Sequence, residues 1–135
     1  MIQPNELRLL NWVKLNDEDL FCKVLVIDNF GLSVDIVKTK EITWIEYEQF
    51  SPVELTPDIL EAAGWYWNNE ADCYEHSDVR MSMNHNSISG WTMFNYVLKA
   101  KITNKIFYLH QLQNLYFALT GEELQIDITK LNKEK

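Results

Sequence analysis

Glycine and cysteine are scarce in this sequence, with four and two copies among 135 residues. The glycines Gly31, Gly64, Gly90 and Gly121 are scattered, so no Gly-x-Gly-x-x-Gly or Walker-type run is present to cradle a phosphate. Each glycine is instead interpreted as a turn or a helix stop. The scarcity of glycine therefore excludes the common nucleotide-binding loops.

Long apolar runs and an export signal are also absent. No stretch approaches the ~20 apolar residues that span a bilayer. Residues 1–20 lack the apolar core of a signal peptide and include Asp17, Glu18 and Asp19. We therefore expect a cytoplasmic protein in its host cell, without a membrane partner. Because thiols stay reduced in that compartment, we expect Cys22 and Cys73 to be reduced and buried.

Basic residues are few: 12 lysines and arginines stand against 20 aspartates and glutamates, which gives a formal net charge of −8. No run of basic residues is longer than two, whereas a groove that grips nucleic-acid phosphates needs clustered lysine and arginine. Direct nucleic-acid binding is therefore not expected. An acidic surface steers a protein toward basic partners, which include the basic grooves of nucleic-acid enzymes.

Aromatic residues, by contrast, are plentiful, with five Trp, six Tyr and six Phe. The chain has the length of one ordinary domain, and this number of rings exceeds what such a core needs. We therefore expect some rings to be partly exposed, as they are in protein interfaces. The predicted organisation is one domain over residues 1–135, with a β-rich half at 1–50, an α+β half at 51–129 and a frayed tail at 130–135.

Alternating apolar residues predict several short strands in the first half. Residues 5–15 are expected to be extended, with Leu7, Leu9 and Val13 in the core, and a polar turn is expected at residues 16–19. The expected architecture is a small, strongly twisted barrel or sheet of SH3-like size. The other predicted elements are strands at residues 21–27, 32–36 and 42–47, with a hairpin turn at residues 28–31.

The second half indicates a short helix, an antiparallel sheet and a C-terminal helix. Thr56 is a favourable N-cap followed by proline, which predicts a helix over residues 57–63 with Ile59, Leu60 and Ala63 on its apolar face. The C-terminal helix is expected to cover one side of the second sheet, so the predicted fold class is α+β. The predicted strands are residues 65–67, 74–83, 91–101 and 123–129.

Apolar side chains at spacings of three and four predict the C-terminal helix over residues 109–119. Gly121 stands where a left-handed C-terminal residue is favoured. Leu112 and Leu115 are expected in the core. The residues of the predicted apolar face are Leu109, Leu112, Leu115, Tyr116 and Leu119.

Residues 110–124, with the sequence HQLQNLYFALTGEEL, closely resemble the C-terminal signature of small uncharacterised proteins of Bacteroidetes genomes, phages and mobile elements. Residues 51–64 resemble a second signature of that group, and residues 7–13 resemble a third more weakly. The resemblance implies a phage or mobile-element origin. It favours an anti-CRISPR role, with an RNA-guided RNase as the target, and it brings no catalytic residue with it.

One group of residues has metal-ligand character. Cys73 and His76 have ligand-like spacing, and Asp78 and His85 would have to complete the site. Structural zinc sites usually contain two paired dyads, whereas only one is present here. A buried thiol beside two surface histidines is the simpler interpretation, so no metal is expected.

Nucleophilic catalysis has no clearer signature. No Gly-x-Ser-x-Gly is present, and Ser87 and Ser89 are close to His85 only in sequence, from which a triad cannot be recognised. His110 opens a helix and lacks an evident nucleophile. We therefore expect a protein that is not an enzyme and has no cofactor.

Charge and aromatic rings are concentrated between Pro52 and Arg80. Seven carboxylates and one arginine lie there, so seven minus one gives six of the eight net negative charges. Rings supply buried area and carboxylates supply steering toward a basic protein surface. The alternative is a solvated acidic face whose rings point into the core. The predicted partner-binding residues are Trp65, Tyr66, Trp67, Glu70, Asp72, Glu75 and Asp78.

These observations favour a non-enzymatic anti-defence protein of the anti-CRISPR kind. Its expected partner is a host defence protein with a basic surface, such as an RNA-guided RNase or its guide-RNA complex. A phage structural or accessory assembly protein is the first alternative, and a small metal-dependent enzyme is the second. An inhibitor would co-purify with one host effector, whereas an assembly protein would co-purify with itself or with virion parts.

Overall fold

The computed structural model describes residues 6–15, 20–76, 81–86, 90–95 and 100–127. Within these ranges the protein has two five-stranded antiparallel sheets and two α-helices, which confirms the predicted α+β class. The chain divides into two compact units. Unit 1 comprises Met1–Glu54 and Tyr108–Glu122, and unit 2 comprises Leu55–Phe107 and Glu123–Lys135. The expected single domain stays a prediction.

The sheet of unit 1 is curled and consists of short strands joined by tight connections. Its order is β4-β3-β2-β1-β5, and each neighbouring pair is antiparallel. A 3₁₀ turn, Tyr47–Gln49, links β4 to β5. The strands are β1 (Trp12–Leu15), β2 (Phe21–Ile27), β3 (Gly31–Ile36), β4 (Glu41–Glu46) and β5 (Phe50–Pro52).

The core of unit 1 is aliphatic and follows the strand alternation. Leu7 and Val13 are buried as predicted, and so is the thiol of Cys22, which forms no disulfide. The prediction for Leu9 is wrong, because Leu9 lies in a turn before β1 and is exposed. A strand alternation therefore cannot be extended back to it. Further members of this core are Val24, Leu32, Val34, Ile36, Ile45, Tyr47 and Phe50.

The β2–β3 hairpin is confirmed, and Asp28 holds its turn. The Asp28 carboxylate accepts hydrogen bonds from the backbone N–H groups of Phe30 at 2.7 Å and Gly31 at 2.9 Å. A side chain at Gly31 would collide with the carbonyl oxygen of Ile45 on β4. Glycine is therefore required here by close approach of two strands.

The sheet of unit 2 is a meander in which strands follow one another in sequence order. Neighbouring strands are antiparallel throughout. Helix α1 (Pro57–Ala62) precedes the sheet and contacts β6. The strands are β6 (Trp65–Asn68), β7 (Cys73–His76), β8 (Met81–Asn86), β9 (Gly90–Asn95) and β10 (Ala100–Ile106).

Two predicted strands of unit 2 are hairpins instead. Tyr74 on β7 pairs with Met83 on β8, and Asn95 on β9 pairs with Ala100 on β10. The prediction of one continuous strand at residues 74–83 and another at residues 91–101 is therefore wrong, because each range contains parts of two paired strands. The connecting residues 77–80 and 96–99 contain no glycine or proline, so the usual sequence signal of a reversal is missing.

Other expectations fall at the edges of the described ranges. Residues 123–127 form no strand, so the predicted strand at 123–129 is wrong over that part. The predicted turn at residues 16–19 and the frayed tail at 130–135 lie outside the described residues.

Both helices begin and end close to their predicted bounds. The Thr56 side chain accepts a hydrogen bond from the Ile59 N–H at 3.3 Å and caps α1, whose Ile59 and Leu60 are buried. Helix α2 (Leu109–Thr120) ends at Gly121, which has the predicted left-handed conformation with φ of 77°. The capping residues therefore predicted where the helices begin and end.

Helix α2 is part of unit 1, where it contacts β1, whereas we expected it to cover the second sheet. Leu112 is buried as predicted, Leu115 is only partly buried and Leu119 is exposed. The buried face instead includes His110 and Gln113. Buried polar side chains therefore hold this helix together with Leu109, Leu112 and Tyr116 of the predicted apolar face.

Candidate protein-binding surface

The predicted partner-binding residues lie on the β6–β7 hairpin, which we call the acidic hairpin (residues 65–76). Trp65 pairs with His76 and Trp67 pairs with Tyr74, so these four side chains share one face of the sheet. Tyr66 pairs with Glu75 and occupies the other face. Strand β6 is an edge of its sheet among the described strands.

The structure separates the predicted residues into buried and exposed sets. Trp65 is only 2% exposed and belongs to the core, which removes it from the predicted surface. Tyr66 and Trp67 are each 48% exposed. Glu70 and Asp72 are exposed and Glu75 is partly buried. Asp78 lies outside the described residues.

The loop of the acidic hairpin is shaped by Asn68. Its side-chain oxygen accepts hydrogen bonds from the N–H groups of Glu70 at 3.0 Å and Ala71 at 3.3 Å. Its side-chain nitrogen donates to Glu75 at 3.2 Å. Asp72 takes a left-handed conformation with φ of 57°, which aspartate tolerates better than most residues. The carboxylates of the loop are therefore presented on an ordered turn.

Trp67 is held in place although half of it is exposed. Its indole N–H donates to the Asn69 side chain at 2.6 Å, and its ring packs edge-on against Tyr74 with centroids 5.1 Å apart. Tyr74 packs in turn against Trp91, whose indole N–H donates to the Leu55 carbonyl at 2.9 Å. A ring fixed in this way loses little conformational entropy on binding a partner.

Carboxylates dominate the charge around the acidic hairpin. The chain contains no lysine or arginine between Lys40 and Arg80. Burial raises the pKa of Tyr74, and the nearby carboxylates of Glu61 and Asp58 on α1 raise it further. The aromatic surface is bordered by negative charge from two elements of unit 2.

Cys73 and His76, the metal-ligand pair of the sequence, face away from each other. They are three residues apart on one strand, so their side chains stand on opposite faces. The His76 ring lies 3.2 Å from the Ala63 carbonyl oxygen, and His85 packs against Trp91 with centroids 5.0 Å apart. Among the described residues, no three His, Cys, Asp or Glu side chains are grouped to hold a metal.

The thiol of Cys73 is buried and forms no disulfide. Burial raises the pKa of this thiol, and the carboxylates of Glu75 and Asp72 raise it further, against a hydrogen bond with Ser82 that lowers it. The protonated form is favoured, and a thiol is a poor nucleophile in that form. Ser87 and Ser89 lie outside the described residues.

Unit 1 contains a buried polar cluster that the sequence interpretation missed. The Gln113 side chain accepts from the Trp12 N–H at 2.9 Å and donates to the Leu10 carbonyl at 3.1 Å. Asn114 donates to the Glu6 carbonyl at 2.8 Å. Polar residues three and four apart on α2 would have been a usable signal.

His110 is the buried titratable member of this cluster. Its Nε2 lies 3.4 Å from a Glu6 carboxylate oxygen, and its Nδ1 has no hydrogen-bond partner among the described residues. Burial lowers the pKa of His110, and Glu6 opposes that shift. The cluster joins α2 to the segment before β1, which is a structural role.

Comparison of the chain with protein-family models, with curated proteins and with solved structures finds no match. Among the described residues, no helix has both the length and the apolar character needed to cross a membrane.

Proposed function

We propose that this protein is a non-enzymatic binding protein that docks onto a basic protein surface through the acidic hairpin. One observation carries the proposal: Trp67 is half exposed, is fixed by Asn69 and Tyr74, and lies in a stretch of sequence, residues 41–79, without a single lysine or arginine. A rigid aromatic anchor close in sequence to several carboxylates suits one class of surface, because the ring fills a pocket while the carboxylates select a basic rim.

The expected partner is a host defence protein whose own ligand is nucleic acid. Such proteins present basic grooves to phosphates, and carboxylates of the acidic hairpin would occupy those positions. The resemblance of residues 110–124 to small proteins of Bacteroidetes phages and mobile elements supports an anti-CRISPR role of this kind. An RNA-guided RNase or its guide-RNA complex is the target that we propose.

Affinity capture followed by binding kinetics tests this proposal. The protein is used as bait in an extract of a defence-bearing Bacteroidetes host, and the captured effector is then purified. Glu70→Lys combined with Asp72→Lys should slow association and weaken its salt dependence, because carboxylates at an interface rim act mainly on the association rate. Glu41→Lys combined with Glu122→Lys is the matched control, since it changes net charge equally at exposed positions of unit 1.

Association that is equally fast for wild type and the Glu70→Lys, Asp72→Lys variant would reject the acidic hairpin as the binding surface. Capture of the chain itself or of virion parts would favour the assembly protein. Stoichiometric metal in protein purified without added metal would favour the metal-dependent enzyme.

A further inference from the structure

A second exposed apolar surface lies on unit 1, at the edge strand β4. Ile42 is 71% exposed and Trp44 is 46% exposed, whereas Ile45, which lies on the other face of β4 and packs in the core, is buried. Strand β4 pairs with β3 and forms an edge of the sheet among the described strands. Edge strands with exposed apolar side chains are templates for pairing with another chain.

Trp44 is held in position on this edge. Its indole N–H donates to the Asp28 carboxylate at 3.3 Å, and its ring lies so close to Gly31 that an added Cβ there would be 2.9 Å from it. The sheet register places Val26, Ser33 and Trp44 in one row across three strands. Val26 is also exposed, so Trp44 and Val26 lie on the same exposed face of the sheet, with the partly buried Ser33 between them.

We propose that a second copy of this chain pairs with this edge, β4 against β4, antiparallel about a twofold axis at Thr43. In that register Ile42 lies opposite the Trp44 of the second copy, and Trp44 lies opposite its Ile42. Lys40 lies in the turn just before β4, with a left-handed φ of 59°, so this register brings it to the end of the strand next to Glu46 of the second copy. This contact between opposite charges also occurs twice. Aromatic–β-branched pairs directly across two strands stabilise a sheet, and neighbouring opposite charges add to this.

Other registers lose this complementarity. A shift of one residue sets exposed Ile42 opposite an inward-facing side chain, because side chains alternate along a strand. Pairing Trp44 with Trp44 sets Ile42 opposite Glu46, and pairing Ile42 with Ile42 places Trp44 beyond the N-terminal end of the partner's β4, beside the turn residue Lys40. Only pairing at Thr43 sets Ile42 and Trp44 opposite each other and also brings the basic end of each strand to the acidic end of the other. The strand is therefore self-complementary, which favours a second copy over a foreign peptide.

The dimer should be weak. A stable interface usually buries about 1,200–2,000 Å² in total, and two six-residue strands bury less. Each copy also carries a net charge of −8, which opposes association. We therefore expect a monomer–dimer equilibrium that depends on concentration. This surface belongs to unit 1, whereas the acidic hairpin belongs to unit 2.

Sedimentation equilibrium over a wide range of concentration tests the proposal, with circular dichroism melts to verify that each variant is folded. Ile42→Lys should weaken dimerisation by about tenfold or more, which corresponds to 1.4 kcal/mol. Lys40→Glu and Glu46→Lys should each weaken it, because each brings like charges next to one another twice. The double variant Lys40→Glu, Glu46→Lys should restore it at the same net charge as wild type.

Two controls accompany these variants. Glu41→Lys changes net charge as Glu46→Lys does but faces Ile45 in the proposed register, so dimerisation should hardly change. Tyr66→Lys alters the edge strand of unit 2 and should also leave it unchanged. If Ile42→Lys fails to fold, the charge swap alone decides the outcome.

A wild-type protein that stays monomeric at every concentration would overturn the proposal. So would a dimer that tolerates Ile42→Lys and both single charge reversals at Lys40 and Glu46, since another surface would then form it. Failure of the folded double variant to recover dimerisation would overturn the register at Thr43.

Discussion

Trp44 and Trp67 are held in similar ways but have differently charged residues near them in the sequence. Each lies on an edge strand, each is about half exposed, and each donates its indole N–H to a neighbouring side chain, Asp28 or Asn69. Trp67 stands in a stretch of sequence, residues 41–79, without lysine or arginine, whereas Trp44 lies between Lys40, in the turn before its strand, and Glu46 at the end of the strand. We therefore expect the charges around an exposed ring, rather than the ring itself, to select its partner.

The largest expected effect separates a buried ring from an exposed one on the same strand. Trp65→Ala should lower the free energy of unfolding by about 3–5 kcal/mol, because it empties a buried site. Trp67→Ala should lower it much less. Chemical denaturation of both variants provides the measurement. Equal losses in the free energy of unfolding would show that Trp67 is a core residue, unlike the exposed Trp44.

A smaller loss is expected from Gly31→Ala in unit 1. The added Cβ would collide with the Ile45 carbonyl and press on the Trp44 ring. Crowding of this kind costs about 1–3 kcal/mol, and it should also displace Trp44 and weaken the proposed dimer. Denaturation and sedimentation measure the two effects. A variant with unchanged stability would show that the two strands are less closely packed.

The two exposed tryptophans should be separable by function. Trp67→Ala should speed dissociation of a captured basic partner by about tenfold, which is the effect of losing an interface anchor, and should leave self-association unchanged. Trp44→Ala should weaken self-association and leave dissociation of the basic partner unchanged. Binding kinetics and sedimentation on both variants test this. If either variant changed both partner binding and self-association, the two tryptophans could not be assigned to two independent surfaces.

The smallest effect concerns pH and tests unit 1. Burial lowers the folded-state pKa of His110 below its ordinary value of 6.5, so the unfolded state binds a proton more readily. The free energy of unfolding should therefore decrease as pH falls below 6.5. Denaturation at about pH 7.5 and about pH 5.5 measures this slope.

His110→Gln should flatten that slope, since the titrating group is removed. Glu6→Gln should steepen it, because Glu6 opposes the effect of burial on His110. Slopes that are the same in wild type and both variants would contradict the assignment of the pH dependence to His110.

Sequence reasoning worked where one residue type has one structural use. Thr56 and Gly121 marked helix ends, and the run from Asp28 to Gly31 marked a hairpin, because caps and turns depend on local chemistry. It was less successful in unit 2, where the pairing of β7 with β8 and of β9 with β10 was not expected, because residues 77–80 and 96–99 contain no glycine or proline.

The candidate surface was predictable only in part. The sequence located the aromatic and acidic residues, but alternation alone does not decide which side of a strand faces the core, so Trp65 was misplaced. The β4 edge was not predicted as a surface, because its partner strands had to be known first. The location of α2 depends on hydrogen bonds of Gln113 and Asn114 to residues about a hundred positions earlier, which no local pattern encodes.

That long separation has a consequence for the order of events during synthesis. The ribosome delivers Leu55–Phe107 before the helix that completes unit 1. Leu55–Phe107 of unit 2 can therefore begin to fold while the first sheet still lacks α2, and Glu123–Lys135 joins unit 2 only after α2 has been made. The hydrogen bonds of residues 6–12 with Gln113 and Asn114 cannot form until α2 emerges. We therefore expect closure of unit 1 to be a late step in folding, because contacts so distant in sequence form slowly.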